Sequence, residues 1–232
     1  LSSTGMVKNP KVLTVINYLC RWLYKQVDKI TVLSPGFKEL LSERGVATDK
    51  IEVVYNWADE NSIMLHQTSF IEGFPSGDKF KILFAGNMGV AQDLSVILDA
   101  AVILAKTLPE VVFILMGSGV ECESLKSKAK NMSLTNVIFL PPVPMEQVGQ
   151  YLQAADILLV HLKNDPLFKI TIPSKTQAYM AAGRPILMGV NGDAAELVRS
   201  ANCGVAFQPS DVNALCCAIN ELSQLNQSVL DR

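Results

Sequence analysis

From Phe80 onward, short apolar runs alternate with stretches in which apolar positions recur every three or four residues. The runs Lys81–Ala85, Val111–Met116, Val137–Leu140, Ile157–Val160, Pro185–Met188 and Gly204–Phe207 have the length of strands. They carry little polar alternation, which predicts strands covered on both faces. The patterns between them predict helices near Asp93–Lys106, Glu121–Asn131, Glu146–Ala154, Ser174–Ala182, Ala194–Ser200 and Val212–Leu222. Strand and helix in regular alternation predict an α/β domain, a Rossmann-like, doubly wound parallel sheet.

The first third of the chain is patterned differently. Residues 1–9 read as an unstructured lead-in, followed by a helix from about Pro10 to Val27. Val12, Val15, Ile16, Leu19, Trp22, Leu23 and Val27 form its apolar stripe, with Lys11, Arg21 and Lys25 nearby. Two uses stay open for that stripe, covering a core face or peripheral contact with a membrane. A strand at Lys29–Leu33 leads to Ser34-Pro35-Gly36, a serine N-cap with proline at the first helical position. That helix ends near Gly45, and Ile51–Tyr55 is a further strand. Periodicity weakens from Asn56, and residues 61–78 read as a linker between the segments 1–60 and 79–232. The chain starts without methionine and enters a helix almost at once, as expected of a fragment.

Composition narrows the classes. Of 232 residues 49% are apolar and 18% charged, enough for a substantial core. A net charge of −2 with no basic run gives no surface for nucleic acid. Five cysteines at irregular spacing, with Cys216-Cys217 inside an amphipathic helical pattern, read as buried reduced thiols of a cytoplasmic protein. His66 and His161 are the only histidines and there is no C-x-x-C, so no zinc site is expected. No apolar run is long enough to span a bilayer.

In sheets of this kind, ligands bind beyond the carboxyl ends of the strands, where strand order reverses. The first such end is Gly86-Asn87-Met88-Gly89-Val90-Ala91-Gln92. Gly86 and Gly89 let backbone approach a phosphate, and Asn87 and Gln92 offer neutral hydrogen-bonding groups. The second end is Met116-Gly117-Ser118-Gly119, a poor dinucleotide fingerprint because the third glycine is missing and Glu121 and Glu123 follow. The third, Leu140-Pro141-Pro142-Val143-Pro144-Met145, is a stiff shelf with an apolar surface for a flat base. The fourth starts at His161 and runs as a loop through Asp165, Phe168 and Lys169 to Ile172-Pro173-Ser174-Lys175. There Pro173 suits the first turn of a helix, and Ser174 and Lys175 stand beside its free amides. Gly183 ends this helix and Arg184-Pro185 turns the chain into the next strand. One reading is a phosphate cradle; the other is an ordinary capped helix packed on a strand. Asp156 reads as a strand-edge group rather than a base, and His161 as either a ligand contact or a histidine packed under a loop. No Walker lysine motif, G-x-S-x-G or H-E-x-x-H occurs.

The segments Lys81-Ile82-Leu83-Phe84-Ala85-Gly86-Asn87, Met116-Gly117-Ser118-Gly119, Asn136–Leu140, Ala155–Leu159 and Ala181-Ala182-Gly183-Arg184-Pro185-Ile186 together resemble the nucleotide-sugar-binding half of family 4 glycosyltransferases. The run P-S-K-x-x-x-Y-M-A-A-G-R-P is similar to a bacterial branch that builds surface polysaccharides, lipopolysaccharide among them. The resemblance implies GT-B architecture, with residues 1–60 as the end of an N-terminal acceptor domain and 79–232 as the C-terminal donor domain. It implies a retaining hexosyltransferase that takes a nucleotide-sugar donor, a UDP-sugar, to a growing glycan or glycolipid acceptor, without a metal or other cofactor, at the inner face of the plasma membrane. The donor-binding residues it implies are Gly86, Asn87, Gly89, Gln92, Gly117, Val143, Lys169, Ser174, Lys175 and Gln177. The family's paired glutamates fall at Ile170 and Ala178, and its basic residues on the first glycine loop fall at Asn87 and Gln92. Charge balance at the diphosphate therefore rests on Lys175, with Lys169 or Arg184 assisting, and ribose recognition on Gln177 or backbone. A noncatalytic nucleotide-sugar-binding or scaffolding subunit is the alternative. A nicotinamide-dependent oxidoreductase is disfavoured by the incomplete fingerprint, and an epimerase by the lack of matching acidic and histidine residues.

Overall fold

The computed structural model describes residues 9–60, 63, 71, 73–75 and 77–230. The lead-in 1–8, His66 and most of the linker 61–78 lie outside the described residues. The first segment forms α1 (Pro10–Gln26), β1 (Ile30–Val32), α2 (Pro35–Glu43) and β2 (Ile51–Val53). Strands β1 and β2 pair in parallel from Ile30↔Ile51 to Val32↔Val53. Beneath them Val32, Leu41, Val46 and Ile51 make a small core, joined by Tyr24 and Phe37.

Helix α2 starts as its sequence dictates. Ser34 is extended (φ −156°) and its hydroxyl accepts from Phe37 N at 3.3 Å, while Pro35 fills the first turn. It stops at Gly45, whose φ of 88° lets Val46 N–H return to Leu41 O. Helix α1 buries little. Val15, Leu19, Trp22 and Leu23 are each at least half exposed, and among the described side chains only Leu13, Ile16, Cys20 and Tyr24 are half-buried.

The second segment carries β3 (Phe80–Ala85), α3 (Ser95–Thr107), β4 (Val111–Met116), α4 (Cys122–Asn131), β5 (Val137–Leu140), α5 (Met145–Ala154) and β6 (Ile157–His161). It continues through α6 (Pro166–Lys169), α7 (Lys175–Ala181), β7 (Ile186–Gly189), α8 (Asp193–Ser200), β8 (Gly204–Ala206) and α9 (Val212–Leu230). Six parallel strands run in the order β5-β4-β3-β6-β7-β8, so strand order reverses between β3 and β6. Alternate residues of β3 serve two cores. Ile82 and Phe84 pack with Phe113 and Leu115 under α3 and α9, whereas Leu83 packs with Ile114, Leu158 and Val160 under α5, α7 and α8.

Four expectations need correction. The helix placed from Asp93 starts at Ser95, because Asp93 is left-handed (φ 46°) after a short 3₁₀ turn at Val90–Gln92. The loop after β6 contains α6, nucleated by Asp165, whose carboxylate accepts from Leu167 N at 2.8 Å. The helix expected to open at Pro173 opens at Lys175, since Thr176 N–H reaches back only three residues to Pro173 O. The cysteines are free but not buried: Cys20, Cys122, Cys203 and Cys216 are half-buried and Cys217 is exposed. On α9 the buried stripe is Leu215, Ala218, Ile219 and Leu222, which turns Cys217 outward.

Candidate functional site

The strands part at the reversal point. Pairing between β3 and β6 covers only Ile82↔Ile157 and Leu83↔Leu158. On the other side β3 stays with β4 through Ala85↔Met116, and the contact continues into the loops. Gly86 N–H donates to Met116 O, Met88 N–H to Ser118 O at 2.7 Å, and Glu121 N–H to Met88 O. The glycines make this possible. A Cβ on Gly117 (φ 139°) would lie 2.0 Å from Gly86 O, and one on Gly119 (φ 153°) 2.4 Å from Met88 O. Both therefore serve backbone-to-backbone approach between two loops.

Helix α7 crosses this gap and places two side chains one turn apart against the end of β3. Lys175 Nζ donates to Ala85 O at 2.9 Å and sits 3.8 Å from the centroid of the Phe84 ring. It also faces the empty Cβ position of Gly86 (φ 140°), at 2.8 Å. Tyr179, 2% exposed, accepts from Ala85 N–H at 3.0 Å and donates to Ala85 O at 3.2 Å. Among the described residues no carboxylate pairs with Lys175. Burial pushes its ammonium down to about 8, because a cation out of water disfavours its charged form. Burial likewise raises the Tyr179 phenol well above its ordinary value, against the smaller opposing effect of its bond to Ala85.

The remaining candidates are distributed around this centre. Gln92 Oε1 accepts from Gly89 N–H at 3.0 Å and from Asn87 Nδ2 at 3.4 Å, so the first loop closes on itself. Asn87 stays exposed and Gly89 is buried. Val143 packs against the core of the α7 face, while Pro141, Pro142 and Pro144 beside it are exposed. Ser174 is exposed, with αR backbone and no side-chain capping bond. Lys169 ends α6 with an exposed side chain, and its carbonyl lies so close to Gly192 that a Cβ there would come within 2.0 Å. The Gln177 Oε1 and Thr176 Oγ1 atoms are buried and without hydrogen-bond partners. The structure thus brings Gly86, Asn87, Gly89, Gln92, Gly117 and Lys175 together at one strand end.

Sequence reasoning missed Phe84 and Tyr179. The signal for Tyr179 was its i+4 spacing from Lys175, which puts both on one helix face. His161 belongs to the framework: its Nδ1–H donates to Gln92 O at 2.7 Å and its Nε2 accepts from Ser210 N–H at 3.1 Å, which sets the tautomer. Asp156 lies at the opposite end of the strands, accepting from Lys81 N–H at 2.7 Å.

A profile of the family described as Glycosyl transferases group 1 matches residues 79–224, more than half of the chain. The chain belongs to this family. Within glycosyl transferases group 1 it is 25% identical over 236 residues to a Pseudomonas aeruginosa protein named Probable glycosyltransferase WbjE, covering 99% of the chain and 58% of that relative. It is 23% identical over 230 residues to WcaI of Escherichia coli (strain K12), named for colanic acid biosynthesis, covering 95% and 56%. The crystal structure of Anabaena Alr3699/HepE in complex with UDP superposes with a TM-score of 0.71 at 20% identity, covering 87% of the chain and 55% of that protein. The chain therefore spans just over half the length of each of these relatives. Its parallel six-stranded sheet matches the GT-B glycosyltransferase structures.

Proposed function

We propose that the chain carries the nucleotide-sugar site of a family 4 glycosyltransferase. In this reading it transfers a hexosyl group, with retention, from a UDP-sugar to a growing lipid-linked glycan of bacterial surface polysaccharide. The carrying observation is the Lys175 ammonium, held on a carbonyl and an aromatic face at the reversal point with no carboxylate paired to it among the described residues. A diphosphate supplies that charge, and its negative charge grows as the sugar leaves, which is where a fixed cation helps most. Gly86, Gly89 and Gly117 shape the bend beside it, with Asn87 and Gln92 on the loop and Ser174 at the edge of α7. Lys169 assists at the diphosphate, Val143 meets the base, and Gln177 Oε1, buried without a partner, accepts from a ribose hydroxyl. HepE in its complexes with UDP and with UDP-glucose supports the donor class, and WcaI, named for colanic acid biosynthesis, supports the product class.

Calorimetry with UDP tests the site. Lys175→Ala is expected to weaken binding by about tenfold or more, since a charge-assisted contact to phosphate is lost; unchanged affinity refutes it. Lys175 takes the charge-neutralising part in place of a metal, so EDTA is expected to leave transfer by the full-length protein unchanged. Ile170 and Ala178, where the family's glutamates are absent, favour a second reading, a noncatalytic nucleotide-sugar-binding subunit. Absence of both transfer and donor hydrolysis by the full-length protein across a panel of UDP-sugars would select it.

Residues 1–60 are proposed to close the first of two α/β units, consistent with a β1–β2 pair that has its own core. Among the described residues no helix is long and apolar enough to cross a membrane. The exposed Val15, Leu19, Trp22 and Leu23 of α1, with Lys11, Arg21 and Lys25 nearby, are proposed to rest on the membrane surface. Loss of vesicle co-sedimentation in full-length Trp22→Glu/Leu23→Glu is the expected result, and wild-type protein that stays in the supernatant refutes it.

A further inference from the structure

In a parallel strand, alternate residues direct their N–H and C=O to opposite neighbours. On β3 the residues facing β6 are Lys81, which is bonded to Asp156 N–H, then Leu83, which is paired with Leu158, and then Ala85. By Ala85 the β6 strand has turned away, leaving that residue's N–H and C=O without a ladder partner. The Tyr179 hydroxyl meets both, accepting from Ala85 N–H and donating to Ala85 O. One phenol oxygen replaces a strand residue at the point where order reverses. The same carbonyl holds Lys175 Nζ, and the next residue is Gly86, whose missing side chain leaves room for that ammonium.

We propose that Tyr179 is a positioning residue for the donor site: its hydroxyl fixes the backbone of Ala85, and through the Ala85 carbonyl it sets where the Lys175 ammonium stands. A buried tyrosine that only satisfied itself would need a single partner. Tyr179 instead satisfies both backbone groups of one residue and shares its acceptor with the cation that faces the ligand. The proposal rests on the donor-site reading above, because positioning Lys175 matters only if Lys175 meets the diphosphate.

The experiment is a double-mutant cycle on the full-length protein, read as UDP affinity by calorimetry, with Tyr179→Phe, Lys175→Met and the pair. Tyr179→Phe keeps the ring and removes the hydroxyl. It is expected to weaken UDP binding by about five- to thirtyfold, in line with the cost of leaving a buried backbone group without its hydrogen bond. In the Lys175→Met background the same change is expected to cost less than about twofold, because the hydroxyl acts through the lysine. Equal losses in both backgrounds, or no loss in the wild type, overturn the proposal while leaving the donor site intact. Unchanged affinity in Lys175→Met alone overturns the donor-site reading itself. Should Tyr179→Phe fail to fold, hydrogen exchange on the wild type decides. The Ala85 amide is expected to be as protected as that of Leu83, and exchange at the rate of an open loop amide refutes the proposal.

Discussion

If the Lys175 ammonium, its pKa lowered to about 8, meets the diphosphate, donor binding becomes pH-dependent in a range where that diphosphate no longer titrates. Terminal phosphates of this kind lose their second proton near 6. If the diphosphate binds only the charged form, apparent affinity falls with the charged fraction. That fraction is about nine-tenths at pH 7, half at pH 8 and one-tenth at pH 9. UDP affinity is thus expected to drop about tenfold between pH 7 and pH 9. At pH 8 binding takes up roughly half a proton, because the bound anion restores the ordinary preference for the ammonium. Titrations in two buffers of different ionisation heat measure both quantities. Affinity flat across pH 7 to 9, or a slope that survives in Lys175→Met, refutes the reasoning. The unliganded protein adds a check of opposite sign. The folded pKa lies below the ordinary lysine value of 10.5, so between about 8 and 10.5 the unfolded chain binds more protons. The penalty for burying the cation is fully present below pH 8 and is relieved as pH rises through that window. The ceiling is about 3 kcal/mol.

Further outcomes follow from the framework around the site. Gly117→Ala is expected to cost about 2–4 kcal/mol in urea unfolding, since its Cβ would lie 2.0 Å from Gly86 O at a φ of 139°; a loss below about 1 kcal/mol contradicts the loop packing. Burial lowers the His161 pKa below 6.5, so stability is expected to fall as pH drops from 6.5 towards its folded value, where the unfolded chain takes up the proton first. His161→Gln should lose that component, measured as the slope of unfolding free energy against pH. Ser34 Oγ donates to Ile170 O at 2.6 Å and Gly36 N–H to Asp193 Oδ2 at 2.7 Å, joining the two segments. Gly36→Ala, with its Cβ 2.4 Å from Ile170 Cγ2, is expected to lower the unfolding free energy by about 1–3 kcal/mol in urea; an unchanged value counts against this contact.

Much of the architecture was legible before any coordinate, because burying a strand on both faces leaves a continuous apolar run and covering it with a helix leaves a 3.6-residue stripe. The runs Val111–Met116 and Val137–Leu140 became β4 and β5 without a shift. Ser34, Pro35 and Gly45 marked the ends of α2 through local chemistry alone. Gly86, Asn87, Gly89, Gln92 and Gly117 follow strand ends and Lys175 opens a helix, positions legible in the sequence, and the fold brings them together. Boundaries were less legible where one backbone angle decides, as at Asp93, or where four residues suffice for a helix, as in α6.

Only the folded chain determined what the lysine rests on. Nothing in Lys175 or Ala85 as letters states that β6 leaves β3 after Leu83 and opens a peptide ninety residues upstream to a passing helix. Periodicity records which face a residue shows, a property of its own element. Where two strands part, and which tyrosine and which cation enter the gap, depends on the order of strands in the sheet, and that order is set by all the elements packing at once.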